Sequence, residues 1–429
     1  MKISKQSSTF IKPFVPTPQT HHRYKLGFLD EVAPFWNVDV VLFFSPICDQ
    51  NRKFVVGLEK SLEKTLTRLY PLAGRYVDET QVIECNDEGV EFIHAKVNIK
   101  LHEFLELETD TRLVDEFISF KTRGAHNLTG PLLSIQVTKF ECGGVAVGVR
   151  ATHKIVDAST LCTFLNVWAA INREENEIKF SWSGFNSSSI FPARGLRAID
   201  VPTISGDMLA KFTRKSFSFT EYEISKIRAN AAFASGNVNS RHWSKVQLVM
   251  AILSKAFIDV DRAVYKYSRE SMVMQTINLR GKMASLIHKN SCGNLWAYCF
   301  TKSGNFETTI ELADVISDSV KKALNNYSKV HHDTEEGKSM VWDPILMMAN
   351  FNPESTHLIG ITSWCKFSFY EANFGFGKPI WVAPGTVPLK NVVTLMDDAS
   401  GNGVVAHVLL ENIDVPIFEE SLNTNALRA

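Results

Sequence analysis

The apolar residues show two periodicities on either side of one stretch in the first half of the chain. Ser134–Phe140 and Val145–Ala151 alternate or run apolar and β-branched, and Gly143 and Gly144 lie between them. This pattern predicts a β-hairpin. After it, apolar side chains recur at i, i+3, i+4, i+7 and i+8, namely Leu161, Phe164, Leu165, Trp168 and Ala169. That spacing predicts a helix from about Ser159 to Arg173.

The same signals predict elements along the rest of the chain. Short apolar runs predict strands at Val38–Phe44, Gln81–Cys85, Val90–Ala95, Arg214–Phe219, Val273–Leu279, Thr356–Lys366, Ile380–Ala383, Val392–Asp397 and Gly403–Leu410. Helical spacing predicts helices at Phe54–Leu69, Leu113–Lys121, Glu221–Ala234, Lys245–Asp259 and Ile310–Ser328. Residues 1–27 are predicted to be irregular, and His331–Lys338 is predicted to be an exposed polar loop. Strands and helices mix without strict βαβ order, which predicts an α/β (mixed α+β) fold of layered halves.

One stretch near the middle changes character. Ser183–Ser189 is rich in Ser, Asn and Gly, and Pro192 and Pro202 follow it. Such a composition is typical of a linker. We therefore predict a first domain over residues 1–182, a crossover linker over 183–205 and a second domain over 206–429.

Bulk properties exclude several classes of protein. The chain has 46 basic and 46 acidic side chains, and this balance argues against a general nucleic-acid binder. The N-terminus lacks the apolar core of a secretory signal, and no window approaches the roughly 18 apolar residues of a membrane span. The seven cysteines are scattered without a CxxC pair, which favours reduced thiols. We expect a cytoplasmic protein without a membrane span, acting as a monomer.

His153 is the leading candidate for chemistry. It lies where the predicted strand gives way to the helix, and Asp157 follows four residues later. Such a junction can hold a side chain rigidly with its tip exposed, as a general base requires. Asp157 has two interpretations on spacing alone. It either orients the imidazole from the same helical face, or it points away to cap the helix or to pair with an arginine.

Two further stretches stand out. Asn373–Pro379 (NFGFGKP) alternates glycine with phenylalanine, and we favour a structural turn under a packed aromatic pair over a phosphate-binding loop. Arg280 closes a β-rich run and is a candidate partner for a carboxylate. The histidine doublets lie in polar loops and no metal-binding motif occurs, so no metal site is predicted.

Several of these stretches together resemble the plant BAHD acyl-CoA-dependent acyltransferases. His153–Asp157 matches the family's HxxxD, and Asn373–Gly377 matches its DFGWG imperfectly. Four shorter matches occur in the family's order, at Tyr70–Arg75 (YPLAGR), Asn278–Arg280 (NLR), Gly293–Asn294 (GN) and Thr362–Trp364 (TSW). The resemblance covers about Leu29 to Leu410. The run that begins at His153 is most similar to the branch that acetylates alkaloid and terpenoid alcohols.

The resemblance implies a fold and a division of roles. It implies two domains related to chloramphenicol acetyltransferase with a solvent channel between them. It implies that His153 is the catalytic base. It implies that Asp157 turns away to pair with Arg280, so that Asp157 and Arg280 are structural. It also implies that Thr362 and Trp364 stabilise the oxyanion. Asn373, Gly375 and Gly377 are expected to be structural support away from the chemistry.

The chain departs from the family pattern at three positions. Asn373 replaces the Asp of DFGWG, which removes any charge-assisted bond, and Phe376 replaces the Trp, which removes an indole donor. Ala158 replaces the Gly that often follows HxxxD. None of these changes touches the base, so we expect an effect on stability or CoA affinity before one on the chemical step.

The activity implied is transfer of an acyl group, acetyl first among the donors, from acyl-CoA to a hydroxyl of a hydrophobic specialised metabolite. Acyl-CoA is then a co-substrate, and no permanently bound cofactor is expected. Ser244 and Lys245 open a predicted helix and are candidates for contact with the CoA phosphates. Two alternatives stay open. One is an N-acyltransferase that forms amides, and the other is a catalytically silent family member that acts as a binding protein.

Overall fold

The chain divides into two compact units, each of which is built from more than one segment. The computed structural model describes residues 1–48, 52–107, 111–119, 129–174, 184–198, 203–204, 208–234, 243–266, 269–284, 287–303, 308–352 and 354–428. Unit 1 is formed by Met1–Val201, Leu286–Leu295 and Phe367–Thr386. Unit 2 is formed by Pro202–Ser285, Trp296–Lys366 and Val387–Ala429.

These units differ from the two continuous domains predicted from the sequence. Residues 286–295 and 367–386 come from the second half of the chain, yet they belong to unit 1. The predicted boundaries at 182–183 and 205–206 lie outside the described residues. Within the predicted linker, residues 184–198 are held in unit 1, where the Glu31 carboxylate accepts N–H bonds from Arg194 at 2.9 Å and Gly195 at 3.0 Å.

The strands are numbered here in chain order. They are β1 (Ile3–Ile11), β2 (Arg23–Lys25), β3 (Asn37–Phe44), β4 (Arg75–Val77), β5 (Val82–Glu84), β6 (Val90–Val97), β7 (Leu133–Lys139), β8 (Val145–Thr152), β9 (Phe212–Phe219), β10 (Glu270–Asn278), β11 (Trp296–Ser303), β12 (Thr356–Ser363), β13 (Trp381–Pro384), β14 (Val392–Asp397) and β15 (Val404–Glu411).

The α-helices follow the same convention. They are α1 (Phe28–Val32), α2 (Arg52–Val56), α3 (Leu58–Arg68), α4 (Leu101–Leu105), α5 (Ala158–Asn172), α6 (Ser187–Ile190), α7 (Glu221–Ala234), α8 (Lys245–Tyr265), α9 (Thr309–Tyr327), α10 (Glu335–Ala349) and α11 (Val415–Arg428). Short 3-10 helices lie at Gln19–His21, Tyr70–Ala73, Thr111–Phe117, Met208–Lys211 and Phe369–Glu371.

Unit 1 is organised around a mixed sheet with β8 in its interior. The strand order within the described residues is β1-β6-β7-β8-β3-β13, and β2, β5 and β4 form a smaller sheet. The predicted hairpin is β7–β8, with Leu133 opposite Ala151 and Lys139 opposite Val145. β3 pairs on the other side of β8, and there the Arg150 guanidinium donates to the Asp39 carboxylate at 2.7 Å. β8 is therefore fixed from both sides up to its last residue.

Unit 2 repeats this plan with a second mixed sheet. Its order within the described residues is β11-β10-β12-β14-β15-β9, with β12 parallel to both β10 and β14. The long helix α8 is apolar along most of its length, and its buried face includes Leu248, Ile252 and Phe257. It packs against α9 and α11 over this sheet. A mixed α/β fold with a sheet in each unit confirms the predicted class.

Several elements differ from the sequence prediction, and the physical reason is clear for three of them. Ile3–Ile11 is an edge strand, because its backbone pairs with β6 while its side chains are almost all exposed and so carry no apolar alternation. The predicted polar loop ends early, since α10 begins at Glu335 after the Thr334 hydroxyl caps it by accepting the Gly337 N–H at 3.1 Å. The helix predicted at Phe54–Leu69 is divided at Gly57 into α2 and α3.

Candidate active site

His153 directly follows the central strand of unit 1. Its backbone N–H donates to the Trp36 carbonyl at 3.1 Å, which continues the β3–β8 ladder by one bond. The chain then turns through residues 153–155 and enters α5 at Ala158. The backbone of His153 is thus held by a hydrogen bond to the segment before β3, and its half-buried side chain lies at the end of β8.

One ring nitrogen of His153 has a defined partner. Its Nδ1 lies 3.0 Å from Oδ1 of Asn294. Burial lowers the pKa of His153 below its ordinary value of 6.5, and that shift is opposed by the hydrogen bond of the ring to its own backbone, by the Asp157 charge and by the Asn294 bond. The imidazole is consequently neutral at pH 7, which is the form that can accept a proton.

Asp157 is engaged with backbone groups of its own unit. Its Oδ1 accepts the Thr160 N–H at 2.8 Å and so caps α5, as the capping interpretation of the spacing requires. Its Oδ2 accepts the Leu295 N–H at 3.1 Å. The carboxylate thereby ties the start of α5 to the segment that carries Asn294.

Arg280 belongs to unit 2, where it lies just beyond β10. It is buried, and both its backbone N–H and its Nη1 donate to Oδ1 of Asn278, at 3.1 and 3.0 Å. Its pairing with Asp157 stays a prediction from the resemblance.

Asn294 received no role from the sequence, although its side chain contacts both the ring and the backbone of His153. Besides contacting the ring, it donates from Nδ2 to the His153 carbonyl at 2.7 Å and to the Asp30 carboxylate at 2.9 Å. Nothing in its local pattern distinguishes it, because it lies 141 residues from His153 in sequence. The only available signal was the GN pair in the family resemblance.

Lys154 points away from the ring and into the body of unit 1. It is 2% exposed, and its ammonium donates to the Glu31 carbonyl at 2.8 Å and lies 4.4 Å from the centre of the Phe35 ring. Burial lowers the pKa of Lys154 to about 8, against the opposing attraction of Asp30, Asp78 and Glu31. The cation lies at the C-terminal end of α1, where carbonyl groups favour positive charge.

Thr362 and Trp364, the predicted oxyanion donors, lie at the end of β12 in unit 2. The Thr362 hydroxyl accepts a hydrogen bond from the Thr276 hydroxyl at 3.0 Å, which leaves its own proton available for a further bond. Trp364 is buried, and its backbone N–H donates to the Leu395 carbonyl at 2.7 Å. The oxyanion role of Thr362 and Trp364 stays a prediction from the resemblance.

Ser244 and Lys245 both make intramolecular hydrogen bonds at the start of α8. The Ser244 hydroxyl accepts the Gln247 N–H in a capping box. The Lys245 ammonium donates to Asp397 at 2.6 Å and to the carbonyls of Gly401 and Gly403 at 2.7 and 3.0 Å. Three bonds are the full donor capacity of an ammonium, so here Lys245 holds the β14–β15 hairpin. Its contact with CoA stays a prediction.

The described part of the chain contains neither a cluster of metal ligands nor a membrane-spanning helix. Among the described residues, no group of three or more His, Cys, Asp or Glu side chains is placed to ligate a metal ion. In the same part of the chain, no helix combines the length and the apolar character that a membrane span needs.

The comparisons with known proteins identify the family of the chain. The family model described as "Transferase family" matches residues 1–424. The chain belongs to this family, the BAHD acyltransferases. It is therefore an acyltransferase, as the resemblance predicted.

Individual relatives cover nearly the whole chain. It is 31% identical to a pelargonidin 3-O-(6-caffeoylglucoside) 5-O-(6-O-malonylglucoside) 4'''-malonyltransferase of Salvia splendens, over 98% of each protein. It is 30% identical to the stemmadenine O-acetyltransferase of Catharanthus roseus, over 94% of this chain and 92% of that protein. The crystal structure of vinorine synthase matches with a TM-score of 0.83 at 28% identity, over 99% of this chain and 98% of that one. The predicted relation to the chloramphenicol acetyltransferase fold is thereby confirmed.

The variant of the family's DFGWG motif lies in unit 1 as a tight turn. Oδ1 of Asn373 accepts the backbone N–H groups of Gly375 at 2.8 Å and Gly377 at 3.2 Å. The Phe374 and Phe376 rings are buried 5.8 Å apart, and Phe374 also packs 4.7 Å from the Trp168 ring of α5. The stretch is thus a turn whose aromatic side chains pack against α5.

Gly375 and Gly377 both adopt backbone angles that disfavour other residues. Their φ values are +101° and +106°. A Cβ on Gly375 would lie 2.5 Å from the Phe54 ring, whereas a Cβ on Gly377 would meet no atom within 4 Å. A side chain at position 377 would therefore add backbone strain alone, whereas a side chain at position 375 would add both backbone strain and a steric clash.

We expect Gly375→Ala to lower the melting temperature more than Gly377→Ala. Both variants carry the strain of a positive φ, roughly 1–3 kcal/mol, and only Gly375→Ala adds the clash with Phe54. Thermal unfolding of both variants beside the wild type measures the difference. Equal losses in the two variants would mean that the Phe54 contact relaxes without cost.

Proposed function

We propose that this protein is an acyl-CoA-dependent O-acyltransferase that transfers acetyl from acetyl-CoA to a hydroxyl of a hydrophobic specialised metabolite, with His153 as general base. The observation that carries the proposal is the state of the His153 ring. The ring is neutral, half-buried at a strand end and bonded through Nδ1 to Asn294, so Nε2 is the nitrogen that carries the lone pair. Family membership supports the reaction class.

The reaction follows from that placement. His153 Nε2 accepts the proton of the acceptor hydroxyl as the oxygen attacks the thioester carbonyl of acyl-CoA. The tetrahedral intermediate collapses with cleavage of the C–S bond, and the imidazolium returns the proton to the departing thiolate. The products are an ester and free CoA. The acyl group passes directly to the acceptor, without an acyl-enzyme.

The negative oxygen of the intermediate needs a donor. We assign this role to the Thr362 hydroxyl, together with Nε1–H of Trp364. The bond that Thr276 donates to Thr362 supports the assignment, because it leaves the Thr362 proton for a different acceptor. Asp157 and Arg280 are assigned to structural support, and so are Asn373, Gly375 and Gly377.

The substrate class comes from the named relatives. Stemmadenine O-acetyltransferase and acetyl-CoA-benzylalcohol acetyltransferase take acetyl to alcohols by their names, and this supports an alcohol acceptor and an acetyl donor here. The Salvia relative is named a malonyltransferase, which makes malonyl-CoA the second donor to test. The protein would act in the cytoplasm as a monomer, with no permanently bound cofactor.

The deciding experiment replaces the base. We expect His153→Ala to lose almost all transfer of acetyl from acetyl-CoA to a panel of alcohols, since general-base assistance contributes roughly 10²–10⁴-fold. Product mass identifies the ester, and circular dichroism checks that the fold is intact. His94→Ala is the matched control, because His94 lies on β6 of the same sheet and contacts Glu59.

The outcome separates the alternatives. An active His153→Ala variant would remove the proposed base. Wild-type turnover with amines and none with alcohols would establish N-acylation. Wild-type protein that binds acetyl-CoA but transfers acetyl to no acceptor would be a silent family member.

The pH dependence follows from the state of His153. Only neutral imidazole accepts the acceptor's proton, so kcat/KM should fall as the pH falls through the pKa of His153. Because that pKa lies below its ordinary 6.5, the rate should stay level from about pH 8 down to about pH 7 and decline only in more acidic buffers. A profile from about pH 5 to 8 checks this. A limb with an apparent pKa above 7 would contradict the neutral ring.

The oxyanion assignment has its own test. Thr362→Val should lower kcat by roughly 10²-fold with little change in the KM for acetyl-CoA, because the lost bond forms mainly in the transition state. Thr362→Ser is the matched control, since it keeps the hydroxyl and should retain most activity. If Thr362→Val raised only KM, the hydroxyl would act in binding and the oxyanion role would be wrong.

A further inference from the structure

Asp30 is a fully buried carboxylate that belongs to no motif used above. It lies in α1 with 0% exposure. Its Oδ2 accepts the Gly27 N–H at 2.9 Å and the Ser187 hydroxyl at 2.7 Å. Its Oδ1 accepts both the backbone N–H and the Nδ2–H of Asn294, each at 2.9 Å. Both oxygens are therefore needed, one for the start of α1 and one for Asn294.

The bonds to Asn294 determine which way its amide faces. The two hydrogens of Nδ2 point at Oδ1 of Asp30 and at the His153 carbonyl, at 2.9 and 2.7 Å. A carbonyl and the Oδ1 of a carboxylate that already receives a backbone N–H are both acceptors. An inverted amide would place oxygen against oxygen at both contacts. The Asn294 oxygen must consequently be the atom that faces His153.

The amide orientation in turn favours one tautomer of His153, alongside the hydrogen bond that the ring makes with its own backbone. An amide oxygen can only accept, so Nδ1 at 3.0 Å must carry the hydrogen. In a neutral imidazole, the other nitrogen then has the free electron pair. That nitrogen is Nε2, the atom to which the proposed mechanism assigns the proton transfer. When the ring becomes imidazolium, Nδ1–H keeps the same acceptor, so no bond has to be remade.

We infer that Asp30 is a positioning residue for the reaction, which acts through Asn294 to hold His153 in the tautomer with Nε2 unprotonated. The chain of contacts runs from Asp30 Oδ1 through the Asn294 amide to His153 Nδ1. The inference rests on the proposed role of His153 as the base. Asp30 touches no reacting atom, and its effect on the rate passes through the imidazole.

The surroundings of Asp30 fit this role. Burial raises the pKa of the Asp30 carboxyl, and the bonds from Ser187, Asn294 and Gly27 oppose that rise. The charged and titratable groups around it are the Lys154 ammonium, which lies 3.4 Å from the Asp30 carbonyl, and the Tyr24 hydroxyl, which contacts Ser187 at 2.7 Å. Burial raises the pKa of Tyr24, so the phenol stays neutral and can donate into the network.

The test reads the tautomer directly. Nitrogen NMR of the full-length protein, labelled with 15N-histidine, distinguishes protonated from unprotonated Nδ1 and Nε2 in neutral imidazole. His153→Ala assigns the signal by its disappearance. In the wild type we expect Nδ1–H with Nε2 unprotonated. A wild-type ring protonated at Nε2 would overturn the inference without any variant.

Asp30→Asn then tests the link through Asn294. An amide has one acceptor oxygen where the carboxylate has two, so its NH₂ opposes either the Asn294 donors or the Gly27 N–H. We expect a population of the Nε2–H tautomer and a fall in kcat of at least about ten-fold, part of the 10²–10⁴-fold that general-base assistance contributes. The KM for acetyl-CoA should stay within about two-fold, because the substrate contacts are unchanged.

Glu91→Gln is the matched control. It replaces a buried carboxylate of the same unit, which accepts from Ser8 at 2.8 Å. It should lower stability without changing the His153 tautomer. If Asp30→Asn also lowered only the melting temperature and left tautomer and kcat as in the wild type, Asp30 would be purely structural. A wild type without acyl transfer would reject the proposed function, while the NMR result would still decide the hydrogen-bond order.

Discussion

The Asn294 amide joins three parts of the chain that lie more than a hundred residues apart. It contacts Asp30 in α1 and His153 after β8. Asn294 itself lies in the 286–295 segment, which comes from the second half of the chain and belongs to unit 1. Asp157 fixes the same segment by accepting the Leu295 N–H. The geometry around the proposed base therefore depends on this segment being in place, since neither α1 nor β8 alone could define the ring's orientation.

The protonation state of His153 results from two opposing effects. Desolvation disfavours the imidazolium and lowers the pKa of His153, while the hydrogen bond of the ring to its own backbone, the Asp157 charge and the Asn294 bond favour the imidazolium. A base needs both, because it must be neutral before reaction and must tolerate charge during it. The separation of roles is physical. Asp157 accepts hydrogen bonds from backbone N–H groups of α5 and Leu295, whereas the amide of Asn294 contacts the imidazole ring.

The sequence predicted the strand and the helix that flank His153, but it did not predict the residues that orient the His153 ring. The β7–β8 hairpin and α5 have clear apolar patterns, since almost all residues of the two strands and most of the helix are buried, so the junction at His153 could be predicted. β1 has no such periodicity because nearly all its side chains are exposed. Asp30 and Asn294 could not be found by pattern either. Their role toward His153 arises from long-range hydrogen bonds, and Asp30, His153 and Asn294 lie more than a hundred residues apart in sequence.

The two Asp/Asn positions of unit 1 show how the same exchange can have opposite consequences. At Asn373, a single oxygen accepts both the Gly375 and the Gly377 N–H, so the amide that replaces the family's carboxylate still satisfies the turn. At Asp30, donors approach both oxygens from opposite sides, and an amide would place its NH₂ against one of them. The number of oxygens in use, rather than the charge alone, therefore decides where this fold tolerates Asn in place of Asp.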